Sequence, residues 1–510
     1  MINAITSSLM STDTVLALLL GVFGGMFMGA MPGLSATMAM TLFLPLTYTM
    51  DPGPAIMLLM STYTAAIYGG SITAILIHTP GTPSSAATAL DGYKLTQKGM
   101  GLQALGVSTV ASSLGSLVGA VALICIAPPL ARFALKFSDP EYFLIAIFGL
   151  TIIGSLAGKS TIKGLISGAV GLCIAVIGVD PVWGYLRLTF GTTFLQSGIA
   201  TVPAMIGLFS IAQVMTLAEK RHLGERESDT RIHQELKGRM LPSFSEFIRN
   251  MPQMIRSAII GVVIGILPGA GGDIAGWVSY NEGKRFSKHP EEFGEGCLEA
   301  LYCSEGANNA VVGGAMIPLL TLGIPGSAAC AVCMGALMIH GVNPGFTLFE
   351  KQMDMVWVIV IGFVLASLLM AIVGVLTAKH VVRIADLSAG ILAPLIVVLS
   401  LIGAYAINLN YYDVYVMLAF GVLGYLMRKF EFPTAPVVLA LILGNMAEGG
   451  LIRSIIICKG NLAGYIFGRP LCVFFIILII LSLFAQTIGR YLGKLMQIKK
   501  DTDVEIPDED

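Results

Sequence analysis

Four Pro-Gly pairs stand just ahead of small hydroxyl or glycine residues: Pro32-Gly33-Leu34-Ser35-Ala36-Thr37, Thr79-Pro80-Gly81-Thr82-Pro83-Ser84-Ser85, Pro268-Gly269-Ala270-Gly271-Gly272-Asp273 and Pro325-Gly326-Ser327. Proline lacks a backbone donor and stops or kinks a helix, and glycine tolerates the turn that follows. A helix restarting there presents unpaired N–H groups and the positive end of its dipole. Ser and Thr cap such starts and keep a hydroxyl proton to donate. The chemistry is anion binding: converging half-helix ends hold a carboxylated solute without a buried cation. The candidate contacts are Pro32, Gly33, Ser35, Thr37, Pro80, Gly81, Thr82, Ser84, Ser85, Pro268, Gly269, Gly271, Pro325, Gly326 and Ser327. One Pro-Gly alone reads as an ordinary kink or interfacial turn, whereas two matched pairs favour a site.

Acids and amides gather near the second pair of breaks. Asp273 follows Gly271-Gly272, and Glu305, Asn308 and Asn309 lie in S-E-G-A-N-N just before an apolar segment. A carboxylate at membrane depth is costly and usually functional. Oxygen ligands from Asp, Glu, Asn and freed carbonyls suit a hard cation such as sodium. These four are candidates for ion coupling or substrate contact. The plainer alternative makes Asp273 a helix cap and leaves Glu305 in a polar insert over residues 280–305, an interfacial helix or loop.

Other polar groups read as structure. His78 is expected to be hydrogen-bonded rather than a proton relay. Asp91-Gly92-Tyr93-Lys94 reads as an interface turn with an aromatic anchor, and Tyr411-Tyr412-Asp413 and Phe430-Glu431-Phe432-Pro433 as interfacial belts. Glu448, in G-N-M-A-E-G-G, is too isolated to assign, a re-entrant turn being one reading. Cys330 and Cys333 have metal-type spacing but lie in an apolar stretch without a second pair or a nearby His, so they read as buried small hydrophobes. No structural metal and no cofactor is expected. No Gly-x-Ser-x-Gly elbow, His-Glu-x-x-His or Walker loop occurs, so the chain does not itself hydrolyse ATP.

The breaks need helices to hold them. Residues 25–33 read G-M-F-M-G-A-M-P-G and residues 261–269 read G-V-V-I-G-I-L-P-G, in one register. Glycines four apart give a flat helix face for close packing. Each half has a second break, Y-G-G-S-I-T-A-I-L-I-H-T-P-G from residue 68 and V-G-G-A-M-I-P-L-L-T-L-G-I-P-G from residue 312, whose Gly-Gly to Pro-Gly spacings differ by one residue. The chain has 510 residues, 55% hydrophobic and 12% charged, with net charge −1. Soluble proteins carry about 25% charged residues, so a soluble domain is excluded, and nothing favours nucleic acid. Apolar runs near 14–31, 54–78, 104–128, 141–157, 161–179, 198–218, 255–268, 308–324, 353–377, 388–406, 412–427, 433–447 and 470–491 predict an all-α polytopic membrane protein. About ten to twelve of these are expected to span, the rest being re-entrant or broken helices. The first run lacks a basic lead and a cleavage site, so it is expected to stay.

The expected organisation is a first membrane repeat over 1–218, a linker over 219–254, a second repeat over 255–497 and a charged tail over 498–510. The linker carries Lys220, Arg221, Arg226, Arg231, Lys237, Arg239 and Arg249, which places it in the cytoplasm. If the first half begins outside, the repeats are inverted, as alternating access requires; parallel repeats are the alternative.

The segments G-G-M-F-M-G-A-M-P-G-L, Y-G-G-S…P-G-T-P-S-S-A-A-T-A-L-D-G-Y, G-I-L-P-G-A-G-G-D-I-A and E-G-A-N-N-A…L-T-L-G-I-P-G-S together resemble the large membrane subunit of the tripartite tricarboxylate transporter family, over nearly the whole chain. The resemblance implies ion-driven uptake of citrate-like di- and tricarboxylates across the bacterial inner membrane. It also implies two partners, a small four-helix-type membrane subunit and a periplasmic solute-binding protein. A negative interior opposes anion uptake by about 2.3 kcal/mol per charge per 100 mV, so a co-transported Na⁺ or H⁺ is expected. The alternatives are an intramembrane hydrolase, with Asp91 and Asp273 as a reactive pair, and a passive anion channel.

Overall fold

A computed structural model describes residues 11–31, 34–156, 160–180, 182–222, 238–268, 271–385 and 389–484. Helices α1 (Thr12–Gly29), α2 (Ala36–Phe43), α3 (Pro52–Ile77), α4 (Ala86–Gln97), α5 (Gly101–Ala134), α6 (Asp139–Leu156) and α7 (Thr161–Ala175) come first. A small hairpin, β1 (Gly178–Val179) antiparallel to β2 (Leu186–Arg187), leads to α8 (Thr201–Ile206). A π turn (Gly207–Ile211) joins α8 to α9 (Ala212–His222). Helices α10 (Phe244–Ile266), α11 (Gly271–Phe286), α12 (Leu298–Leu322), α13 (Ala328–Ile339) and α14 (Phe346–Lys351) follow. The chain closes with α15 (Met353–Ala385), α16 (Ala389–Asn408), α17 (Tyr411–Lys429), α18 (Ala435–Ile457), α19 (Leu462–Phe467) and α20 (Pro470–Phe484). The protein is an all-α polytopic membrane protein, and each predicted apolar run overlaps a helix among the described residues.

Among the described residues, six helices are long and apolar enough to cross a membrane: Thr12–Gly29, Pro52–Ile77, Gly101–Ala134, Thr201–Glu219, Met353–Thr377 and Ala435–Ile457. That is fewer than the ten to twelve spans expected. Helix α12 is long enough, but Glu305, Asn308 and Asn309 dilute its apolar character although all three are buried.

Helices α1 and α3 pack through glycines whose faces touch backbone. A Cβ on Gly25 would meet the Thr62 carbonyl at 2.4 Å, and one on Gly29 the Ala66 carbonyl at 2.1 Å. Helices α10 and α12 repeat this, with Gly261 against the Ala307 carbonyl at 2.2 Å and Gly265 against that of Val311 at 2.8 Å. The packing also fixes the register that the Gly-Gly pairs left one residue apart. Gly69 faces the Met26 carbonyl and Gly314 faces that of Val262, so Gly69 corresponds to Gly314. Both long helices then close in the left-handed conformation, α3 at His78 (φ 58°) and α12 at Gly323 (φ 69°).

The next long helices exchange partners. Gly115 and Gly119 of α5 lie on Gly306 and Gly313 of α12, while Gly362 and Gly374 of α15 lie on Met57 and Tyr68 of α3. Where α3 and α12 meet, Asn309 Nδ2 donates to the Thr64 carbonyl at 3.2 Å. Moving forward along α3 from Thr64 to Ser71 moves back along α12 from Asn309 to Glu305.

Within the expected 219–254 linker, helix continues to His222 and resumes at Phe244. The restart is fixed by a capping box between Ser243 and Glu246. Backbone bonds from Ser243 hold the Glu246 carboxyl below its ordinary range. Asp91 is not in an interface turn: it is fully buried on α4. Glu448 is not in a re-entrant turn either, since it lies within α18 and pairs with Arg187 of the hairpin. The polar insert, expected as helix or loop, comprises the end of α11, a connection holding a 3₁₀ turn (Pro290–Glu292) and the start of α12.

Candidate functional site

The described parts of the four breaks form a closed ring. The first and second meet where Gly81 abuts the end of α1: a Cβ there would stand 2.0 Å from the Gly29 carbonyl. The third and fourth meet likewise, with Gly326 against the Gly265 carbonyl at 2.6 Å. Second and third are joined at Gly272, whose Cβ would fall 2.9 Å from the Ser84 Cβ and 2.6 Å from Asn308 Oδ1. Fourth and first are joined by the packing of α13 on α2. Pro32, Gly33 and Gly269 lie outside the described residues.

Each break releases a new helix. Ser35 caps α2, its Oγ accepting from Met38 N at 3.2 Å, and Ser327 caps α13, accepting from Cys330 N at 3.1 Å. Both keep a hydroxyl proton, and Ser327 meets the Tyr63 hydroxyl at 2.9 Å. Thr82 Oγ1 lies 3.0 Å from Ser84 Oγ and 3.1 Å from Ser85 Oγ, all three buried ahead of α4. Thr37 and Pro80 are half-buried, Pro268, Pro325 and Gly326 buried. Gly271 starts α11 with φ 55°, a left-handed conformation that favours glycine.

Asp273 and Glu305 have different surroundings. Asp273, in the first turn of α11, is exposed, and it lies within electrostatic range of Tyr63 on α3. Glu305 is fully buried on α12. Thr88 Oγ1 donates to its Oε1 at 2.5 Å and Ser112 Oγ to its Oε2 at 3.0 Å, and Thr88 also meets Ser304 Oγ at 2.8 Å. No cationic side chain faces Glu305 among the described residues. One turn on, Asn309 Nδ2 bonds the Thr64 carbonyl and, at 3.3 Å, Ser116 Oγ. Its Oδ1 and both amide atoms of Asn308 are buried without a hydrogen-bond partner among the described residues. Buried polar atoms are rarely left unpaired.

Thr88, Ser112 and Tyr63 did not stand out in the sequence as site residues. One signal was present: Ser108, Ser112 and Ser116 recur every fourth residue of α5, beside Gly115 and Gly119. His78 matches its expected structural role, its Nδ1 lying 3.2 Å from the Ala89 carbonyl. Cys330 and Cys333 are buried on α13 against the sulfurs of Met316 and Met60, at 3.8 and 3.9 Å. The Asp91 carboxylate is occupied by Tyr280 Oη and the backbone N–H groups of Gly294, Gly296 and Cys297. An apolar groove of about 580 Å³ on α10, lined by Ile248, Met251, Ile255 and Ile259 among others, contains none of the break residues.

The family model for the tripartite tricarboxylate transporter TctA family matches residues 15–439. An uncharacterized 52.8 kDa protein in the TAR-I ttuC' 3'region of Agrobacterium vitis is 38% identical over 441 residues, 86% of this chain and 87% of that protein. An uncharacterized protein in the TAR-II ttuC' 3'region of the same organism is 36% identical over 201 residues, 39% of this chain and 83% of that protein. No solved structure matches.

Proposed function

This chain belongs to the tripartite tricarboxylate transporter TctA family, and we propose that it is the permease subunit of a binding-protein-dependent secondary transporter that imports di- and tricarboxylates with a coupling cation, Na⁺ or H⁺. The observation that supports this reading is the run of contacts that links the segments flanking the four helix breaks to one another. Broken helices at membrane depth are tolerated where they line a cavity, and their N-terminal ends favour anions. Ser35, Thr37, Thr82, Ser84, Ser85 and Ser327 donate to the solute carboxylates. Asp273, Glu305, Asn308 and Asn309 couple the ion.

The two halves act as inverted repeats, 1–218 and 255–497, with a cytoplasmic connection between them. Their support is the matched packing of α1 on α3 and α10 on α12, together with the opposed order of contacts where α3 meets α12. Such a pair rocks about a fixed site. The chain works in the bacterial inner membrane with a small membrane subunit and a periplasmic solute-binding protein, and performs no covalent chemistry.

The test is uptake of labelled di- and tricarboxylates by cells expressing this chain with the small subunit and binding protein, each omitted in turn. Saturable accumulation against a gradient should require all three. Uptake undiminished without this chain would remove the assignment, and equilibration without accumulation would favour a passive channel.

A further inference from the structure

The correspondence between halves has one sharp asymmetry. In the register that pairs Gly69 with Gly314, Thr88 corresponds to Cys333 and Glu305 to Met60. The contact is kept on both sides: Thr88 touches Glu305 at 2.5 Å, and Cys333 touches Met60 at 3.9 Å. Likewise Asn308 corresponds to Tyr63 and Thr82 to Ser327, but Tyr63 bonds Ser327 whereas both amide atoms of Asn308 stay unpaired. One of the two equivalent contacts between the halves sets a buried carboxylate near orphaned amide oxygens; the other sets two sulfurs near a satisfied hydroxyl pair.

We propose that Glu305, the Oδ1 atoms of Asn308 and Asn309, and the hydroxyls of Thr88 and Ser112 form a binding site for one monovalent, sodium-sized cation, present at only one of the two equivalent positions where the halves meet. A lone ionised carboxylate in a dry interior is strongly unfavourable without a partner, and Glu305 has hydroxyl donors but no cationic partner among the described residues. One negative charge among neutral oxygens balances one positive charge. A divalent ion would ask for more, and among the described residues no group of three His, Cys, Asp or Glu gathers anywhere. A proton would neutralise Glu305 but engage only one further oxygen, leaving another amide oxygen orphaned. A hard cation draws both oxygens and the hydroxyl lone pairs together. The thiol and thioether of Cys333 and Met60 are soft and uncharged, so the corresponding position holds no second ion. Asp273, exposed in the first turn of α11, is not among these ligands.

This inference deepens the transport reading and rests on it only for the ion's coupling role. Its test needs no solute and no partner subunit. The purified full-length chain is melted in detergent across a NaCl titration, with KCl holding ionic strength constant. Wild type should show a saturable rise in melting temperature with Na⁺ over K⁺. Glu305→Gln should lose that rise, and Ser112→Ala should shift its midpoint about tenfold toward higher Na⁺. Identical melting of wild type in Na⁺ and K⁺, or a wild-type Na⁺ response in Glu305→Gln, would overturn the proposal. Protection of wild type by acid in place of Na⁺, already present in Glu305→Gln, would replace the cation by a proton. Should Glu305→Gln fail to fold, wild type and Ser112→Ala still decide. Uptake can fail while this Na⁺ response stands, and the reverse, so the two readings are judged separately.

Discussion

Asp91 illustrates how a residue's role depends on what reaches it from elsewhere. Its neighbours Gly92 and Tyr93 read as a turn, yet α4 runs through them, and the loop before α12 folds back to place three backbone N–H groups and the Tyr280 hydroxyl on the carboxylate. Each buried donor left unpaired costs about 1–3 kcal/mol. Asp91→Ala is therefore expected to lower stability by several kcal/mol, or to abolish folded yield, read by thermal melting. Asp91→Asn, which keeps one carbonyl acceptor, should fall between. Equal melting of all three would show that the clasp contributes nothing. The candidate cation site was partly legible by the same measure. Glu305, Asn308 and Asn309 stand out because they interrupt an apolar helix, but Thr88 and Ser112 reach them from α4 and α5, about two hundred residues earlier in the chain, and no local pattern announces that meeting.

Helices were the most readable scale, because apolar length and Pro-Gly punctuation act locally. Their close packing was readable as glycine stripes, while the register required the contacts themselves. Gly81 and Gly326 sit against carbonyls of the preceding Gly-stripe helices, so Gly81→Ala or Gly326→Ala must push two backbones apart. Either change should sharply reduce folded yield or uptake. Gly168→Ala on α7 is the control: its Cβ would meet nothing nearer than 4.0 Å, and helix propensity favours the change by up to about 1 kcal/mol. At the start of α10, backbone bonds from Ser243 depress the Glu246 carboxyl. A depressed carboxylate stabilises the fold above its unfolded pKa, and that contribution is lost as pH falls through the folded value. Amide exchange in the first turn of α10, corrected for intrinsic rates, should thus quicken over that acid range in wild type. Ser243→Ala should exchange faster at neutral pH, with the cap worth about 1 kcal/mol; an unchanged first turn would contradict the capping role.

At the scale of the whole molecule, two similar halves are turned to unequal use. Both supply a Gly-stripe helix, a break, a long helix ended by a left-handed residue and a second break. The ring draws on all four breaks, whereas the carboxylate cluster, built from both halves, stands at only one of the two equivalent positions. The membrane character and helix content followed from composition; the closing of the ring did not, since Ser84 and Gly272 meet only through tertiary packing. The most direct measurement is counterflow of a labelled tricarboxylate in vesicles carrying this chain with its small subunit and binding protein, comparing wild type with Ser84→Ala/Ser327→Ala. The account predicts saturable exchange in wild type and at least about a tenfold weaker half-saturation in the double variant, two hydroxyl contacts being worth about 1 kcal/mol each. Exchange with unchanged affinity in the double variant would contradict a carboxylate site at the helix breaks.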